Sequence, residues 1–126
     1  MKKNDLFDYK DLFVFQNDKD FKFSLDSILL AEFVNIKLTT KTIVDFCTGI
    51  GTIPLILSTK TKAKIYGIEV QESVFKLAQK SVQCNNISNI EYVNDNIFNA
   101  KNYFKNIDIV VCNPPYFKTN PKSLIN

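Results

Sequence analysis

Thr42-Ile43-Val44-Asp45-Phe46-Cys47-Thr48-Gly49-Ile50-Gly51-Thr52-Ile53-Pro54 is the stretch on which the fold turns. Thr42 to Phe46 is a short apolar, β-branched run of the kind that forms a buried strand. Cys47 to Gly51 is a glycine-containing turn, and a helix is predicted from about Thr52. Pro54 falls in the first turn of that helix, where a missing N–H does no harm. A strand that passes through a glycine turn directly into a helix is the first half of a βαβ unit.

The same alternation continues downstream. Lys64 to Val70 reads as a second strand, and Gln71 to about Cys84 as a helix with Val74, Leu77, Ala78 and Val82 on one face. Ile90 to Val93 is a third strand, a weaker helix covers Ile97 to Phe104, and Ile107 to Cys112 is a fourth strand. Strands joined by helices predict an α/β fold: a doubly wound, Rossmann-like sheet of four parallel strands with right-handed crossovers. The run from Ile107 to Val111 is apolar throughout and asks for neighbours on both sides. Nothing after it supplies one, so the sheet reads as partial, with its later strands missing.

Upstream, Leu12 to Phe15 and Phe21 to Phe23 flank Asn17-Asp18-Lys19-Asp20 and predict a β-hairpin. A helix follows over residues 24–34, with Ser24 or Asp26 as its cap. The expected organisation is therefore an N-terminal hairpin and helix over 1–38, then the front part of a Rossmann-like domain over 39–126.

Composition bounds the chemistry. The 126 residues are 45% hydrophobic and 23% charged, which suits one globular domain. There is no His, so the usual general base and commonest metal ligand are missing. The net charge of +3 comes entirely from Lys, and lysines attract phosphate as point charges without forking onto it. Cys47, Cys84 and Cys112 form no CxxC pair and no metal spacing, which fits a reducing, cytoplasmic compartment and no metal site. No apolar run approaches a membrane span of roughly 20 residues.

Four places carry candidate chemistry. In the first turn, Gly49 and Gly51 permit a close backbone approach to a ligand, although the third glycine of a dinucleotide fingerprint is absent. Glu69 ends the second strand near the spacing of a ribose-binding acid, and it equally suits the first turn of the helix after it. Asp95 follows the third strand. There it can accept from an adenine amino group, or Asn94-Asp95-Asn96 can serve as a polar turn that caps the next helix. After the fourth strand stands Asn113-Pro114-Pro115-Tyr116. The two prolines hold the backbone extended. The Asn113 side-chain oxygen and the Pro114 carbonyl are thereby fixed as acceptors for both hydrogens of a planar –NH2 group. Tyr116 offers a ring to stack on a flat base.

In this order, Asp45-x-Cys47-Thr48-Gly49-x-Gly51, Glu69, Asp95 and Asn113-Pro114-Pro115-Tyr116 resemble the class I S-adenosylmethionine-dependent methyltransferases that modify exocyclic or amide nitrogens. Phe23-Ser24-Leu25-Asp26-Ser27-Ile28-Leu29-Leu30-Ala31 and Asn113 to Phe117 look more specifically like the bacterial tRNA (adenine-N6)-methyltransferases that act on the anticodon loop of valine tRNA. The resemblance implies S-adenosylmethionine as cofactor. Asp45, Cys47, Thr48, Gly49 and Gly51 would hold its methionine end and Glu69 its ribose. Val70 would pack on the adenine, with Asp95 and its neighbour Asn96 at the amino group. Asn113, Pro114, Pro115 and Tyr116 would form the catalytic set. Two departures stand out: Cys47 replaces a glycine found in many members, and the family's later strands have no counterpart.

The same tetrapeptide serves DNA adenine, RNA adenine and protein glutamine methylation. tRNA is the favoured acceptor, and Lys2, Lys3, Lys10, Lys19, Lys22, Lys118 and Lys122 are candidates for tracking its phosphates. A rival reading is a truncated, inactive fragment that binds cofactor weakly or pairs through its open sheet edge, as a monomer or edge-paired dimer. A nicotinamide-binding domain explains the glycines and Glu69 but not Asn113 to Tyr116.

Overall fold

Ile43 and Val44 are adjacent, so their side chains leave the strand on opposite faces, and both are fully buried. Their strand must therefore lie between two layers. The computed structural model describes residues 2–6, 9–16, 25–100 and 102–114. In chain order the elements are β1 (Lys2–Leu6), β2 (Tyr9–Gln16), α1 (Leu25–Phe33), β3 (Thr42–Asp45), α2 (Thr52–Leu57), β4 (Lys64–Ile68), α3 (Glu72–Cys84), β5 (Ile90–Val93), α4 (Ile97–Ala100) and β6 (Ile109–Val111).

The strands β3 to β6 form one sheet in the order β5-β4-β3-β6, and every neighbouring pair is parallel. Asp45 is in register with Gly67 on one side and Val111 on the other. The chain thus steps outward from β3 through β4 to β5 and then returns to the far side of β3. That reversal makes the crevice between the carboxyl ends of β3 and β6 the topological switch point, where open α/β sheets bind ligands.

Alternation along the strands builds a layer on each face. Ile43, Ile65, Ile90 and Tyr92 join Ile53, Ile56, Val74 and Ala78 of α2 and α3 in the larger core. Val44 and Ile68 face the other way, against Ala100, with Tyr66 and Phe104 packed beside them. The crossovers through α2 and α3 therefore lie on one face and that through α4 on the other, which is the doubly wound arrangement expected from the sequence.

The N-terminal units dock on the same larger core. Strands β1 and β2 pair antiparallel, with Lys3 opposite Phe15 and Asp5 opposite Phe13. The Phe15 N–H donates to Ser81 Oγ at 2.9 Å, and Asn85 Nδ2 donates to the Phe13 carbonyl at 2.7 Å, so α3 clasps the hairpin through its polar side. Lys60 Nζ donates to the Ala31 and Glu32 carbonyls at 2.9 and 3.1 Å and satisfies carbonyls that α1 leaves open at its end.

The sequence placed a hairpin here with a different partner strand. Leu12 to Phe15 does lie in a hairpin strand, but its described partner is Lys2–Leu6; Phe21 to Phe23 fall outside the described residues. The fourth strand is shorter than its apolar run. Just before it begins, Asp108 Oδ2 accepts the Lys41 and Thr42 N–H groups at 2.7 and 2.9 Å, beside the backbone bond from the Asp108 N–H to the Thr42 carbonyl at 2.9 Å. The helix α4 stops at Ala100 instead of reaching Phe104, and residues 102–103 continue as turn.

Candidate functional site

Asp45, Cys47 to Gly51, Glu69, Val70, Asp95, Asn96, Asn113 and Pro114 lie at or just after the carboxyl ends of the four parallel strands. Immediately after β3, the Thr48 N–H donates to the Ile68 carbonyl at 3.0 Å, and the Gly51 N–H returns to the Thr48 carbonyl at 2.9 Å. The loop is thereby tied to the end of β4 and closed on itself. Gly49 and Gly51 take φ of +57° and +91°, a region that side-chain-bearing residues rarely enter. Their surroundings differ. A Cβ on Gly49 would have nothing within 4 Å, which leaves the backbone there open to a ligand. A Cβ on Gly51 would overlap the Tyr92 hydroxyl, which donates to the Gly51 carbonyl at 3.1 Å.

Asp45 lies beneath this turn and is fully buried. Its Oδ1 accepts the Cys47 N–H at 3.4 Å. Its Oδ2, together with Thr48 Oγ1 and Thr52 Oγ1, has no hydrogen-bond partner among the described residues. Burial pushes the Asp45 carboxyl up to about 7, and the nearby Glu69 charge adds in the same direction. An unpartnered, buried carboxylate oxygen beside an open glycine turn suits a ligand that brings a cation and donors to that point.

Glu69 follows β4 and joins two loops. Its Oε1 accepts the Gly49 N–H at 3.0 Å, while its Oε2 accepts the Gln71 N–H at 2.9 Å at the start of α3. The helix-start role weighed for it is present in the bond to Gln71, and each oxygen keeps a second lone pair. Val70 beside it is 64% exposed, a bare apolar surface of the size a flat ring covers. Asn94 Nδ2 donates to the Glu69 and Val70 carbonyls at 2.8 and 3.1 Å, which joins the β5 loop to the β4 loop.

Asp95 is largely engaged in its own turn. Its Oδ1 accepts from the Asn96 N–H and from Asn99 Nδ2, and its Oδ2 accepts from the Tyr103 hydroxyl. These bonds, the tyrosine's first, hold the carboxyl below its ordinary range. Asn96 Oδ1 accepts the Asn99 N–H at 2.8 Å and caps α4. The polar-turn role of Asn94 to Asn96 is therefore present in the geometry.

Across the switch point, Cys47 and Cys112 face each other with sulfurs 3.5 Å apart. Burial pushes the Cys47 thiol up to about 12, helped by its hydrogen bond with Cys112. Asn113 comes next in the chain, half-buried, and its Nδ2 donates to Ser27 Oγ of α1 at 3.0 Å. Pro114 is described and exposed; Pro115 and Tyr116 lie outside the described residues. Of the lysines named above, Lys3 places its ammonium 3.9 Å from the centroid of the Phe13 ring. Among the described residues no group of three or more His, Cys, Asp or Glu side chains is placed to hold a metal.

Three contributors escaped the sequence reading. Tyr92 read only as an apolar strand residue, Tyr103 as part of a helix face, and Ser27 as one letter of an amphipathic segment. Only Ser27 carried a signal, since it belongs to the stretch that resembles the tRNA enzymes.

A doubly wound parallel sheet with a glycine turn after its central strand and an acid after the next is a Rossmann-like methyltransferase fold. Residues 19–124 match the methyltransferase small domain, and the chain belongs to that family. It is 32% identical over 114 residues to the tRNA1(Val) (adenine(37)-N6)-methyltransferase of Glaesserella parasuis, covering 89% of this chain and 48% of that protein. It is 29% identical over 85 residues to the release factor glutamine methyltransferase of Aliivibrio fischeri, covering 67% of this chain and 30% of that one. Among solved structures, SMU.1697c of Streptococcus mutans in complex with SAH superposes with a TM-score of 0.56 at 21% identity, over 80% of this chain and 58% of that one, a likeness of fold. The chain spans from about a fifth to about half the length of curated relatives it matches.

Proposed function

We propose that this chain forms the cofactor-binding part of an S-adenosylmethionine-dependent N-methyltransferase whose acceptor is an exocyclic amino nitrogen, with adenine N6 of tRNA as the substrate. The observation that carries this reading is the position of Asn113. It follows, after Cys112, the strand that pairs with Asp45's strand across the switch point, and the Cys112 sulfur lies 3.5 Å from that of Cys47 in the turn above Asp45's unpartnered oxygen. The tRNA assignment draws on the Glaesserella parasuis relative, which covers most of this chain.

The residues present fit the cofactor. Asp45 Oδ2, Thr48 Oγ1 and the open face of Gly49 would receive its methionine end, whose ammonium answers the buried carboxylate. The free lone pairs of Glu69 would take the ribose hydroxyls, and exposed Val70 would cover the adenine. When bound, S-adenosylmethionine supplies a methyl group on a sulfonium that is already strongly electrophilic.

What remains for the protein is alignment. Asn113 Oδ1 and the Pro114 carbonyl accept the two hydrogens of the target –NH2, which directs the nitrogen lone pair out of the clamp. The same two acceptors stabilise the positive charge that grows on the nitrogen as its bond to carbon forms. No imidazole is needed for this, in keeping with a chain that has no histidine.

Transfer of labelled methyl to tRNA, duplex DNA and a release-factor peptide, compared side by side, tests the reading. We expect tRNA to be labelled and Asn113→Ala to abolish labelling, with affinity for S-adenosylhomocysteine kept within a few-fold. Labelling of the peptide alone would transfer the chain to the glutamine branch. Labelling of no acceptor would overturn the reading.

A further inference from the structure

We propose that Ser27 is a positioning residue, which holds the Asn113 side-chain amide with its nitrogen end turned away from the target. The inference rests on the reading of Asn113 as the acceptor for the target amino group and adds a residue from a different part of the chain to it.

The two ends of a carboxamide are nearly the same size, and only the chemistry of their neighbours distinguishes them. With Oδ1 turned to the target, Asn113 accepts a hydrogen from the –NH2 group. With Nδ2 turned to it, two donors meet and the nucleophile is repelled. A functional clamp therefore needs something behind Asn113 that holds the nitrogen end. In this structure the Nδ2 of Asn113 donates to Ser27 Oγ at 3.0 Å, across 86 residues of sequence. A serine hydroxyl can donate as well as accept, so it is the Nδ2-to-Oγ direction of this contact that assigns the nitrogen end to Ser27 and leaves Oδ1 for another donor, and the acceptor-only Ser27→Asp below tests that direction.

Ser27 is held firmly enough to act as a reference point. Its neighbours on α1, Ile28 and Ala31, are 4% and 0% exposed in the larger core. The end of the same helix is fastened by the Lys60 ammonium on the Ala31 and Glu32 carbonyls. Asn113 itself extends from β6, which is pinned to β3 through the bond from the Phe46 N–H to the Val111 carbonyl at 2.9 Å. One rigid element thus carries the amide and a second sets its orientation. This gives the N-terminal helix a part in the chemistry although it lies outside the parallel sheet.

Three variants and two readouts test the proposal. Ser27→Ala removes the acceptor, Ser27→Thr keeps a hydroxyl, and Ser27→Asp supplies an acceptor that cannot hold the amide the other way round. In the methyl-transfer assay we expect Ser27→Ala to lower kcat about tenfold. Its affinity for S-adenosylhomocysteine should stay unchanged, and Ser27→Thr and Ser27→Asp should recover most of the rate. The second readout does not depend on turnover. In the 15N-labelled chain the Asn113 side-chain NH2 protons should exchange with water more slowly than those of an exposed asparagine such as Asn102. Ser27→Ala should remove that protection. Equal exchange in wild type and Ser27→Ala, or a Ser27→Ala enzyme with full kcat, overturns the positioning role. A wild-type chain that labels no acceptor but shows the protection sinks the functional reading and leaves the contact standing.

Discussion

Glu69 Oε1 accepts the Gly49 N–H at 3.0 Å, and Glu69 Oε2 accepts the Gln71 N–H at 2.9 Å. One carboxylate therefore sets the turn after β3 and starts the helix after β4, so the first glycine loop and the acid 20 residues later are a single mechanical unit. Glu69→Ala should destabilise the fold by about 1–3 kcal/mol, because two backbone donors lose a charged acceptor. It should also weaken S-adenosylhomocysteine binding by at least tenfold. Glu69→Gln, with one carbonyl oxygen left, should fall between the two. Denaturant titration and calorimetry on the same samples measure both effects. A Glu69→Ala chain of wild-type stability that fails to bind would mean that Glu69 touches ligand only.

The two turn glycines should respond differently to a methyl group. Alanine at Gly49 meets open space and bears only the cost of a left-handed backbone, about 1 kcal/mol. Alanine at Gly51 bears that cost and also collides with the buried Tyr92 hydroxyl and ring, so a loss of about 3 kcal/mol or more is expected. Tyr92→Phe alone should cost about 1 kcal/mol, the hydrogen bond to the Gly51 carbonyl. Thermal or denaturant unfolding of the three variants checks the ranking. For ligand affinity the ranking should invert: Gly49→Ala, which fills the open face, should bind S-adenosylhomocysteine less well than its stability suggests.

Much of this was legible because periodicity and punctuation agree. The runs at Thr42, Lys64 and Ile90 are bounded by turn residues and separated by helical patterns, and each became a parallel strand. The helix ending at Cys84 was equally clear from Val74 and Ala78 recurring on one face. What local sequence did not announce depended on tertiary partners. Nothing local in Lys2 to Asp5 announces that it pairs with Phe13 to Gln16; the pairing goes with the burial of Leu6 and Val14 in the same core. Asp108, just before β6, bonds two amides that are 66 and 67 residues away in sequence. Ser27 behind Asn113 and Tyr92 against Gly51 are likewise contacts across 86 and 41 residues, which no window of sequence contains.

Asp45 should impose a pH dependence of unusual sign for an acid. Its carboxyl rises from 3.8 to about 7 in the folded protein because burial disfavours the charge. The fold then prefers the protonated form. Asp45's contribution is fully present below about pH 4, declines as pH rises towards 7, and is lost above it. The span corresponds to a few kcal/mol, about 4 at most. Stability measured between pH 5 and 8 should therefore fall with pH in wild type, and Asp45→Asn should flatten that slope. Ligand binding should run the other way. If the ionised carboxylate receives the ammonium of the cofactor, affinity for S-adenosylhomocysteine rises through about pH 7 in wild type and loses that rise in Asp45→Asn. A flat binding profile in wild type would place the ammonium elsewhere.

Cysteine reactivity should single out the thiol at the switch point. Cys84 and Cys112 are exposed, whereas Cys47 is part-buried and its thiol is pushed up to about 12, first by burial and then by the bond with Cys112. Since the thiolate is the reacting form, iodoacetamide at pH 8 should modify Cys47 at least a hundredfold more slowly than Cys84. Mass spectrometry of peptides from timed quenches measures the ratio. Because burial is the larger cause, Cys112→Ser should accelerate Cys47 by less than tenfold. A larger acceleration would mean that the Cys112 sulfur, and not burial, keeps the thiol protonated.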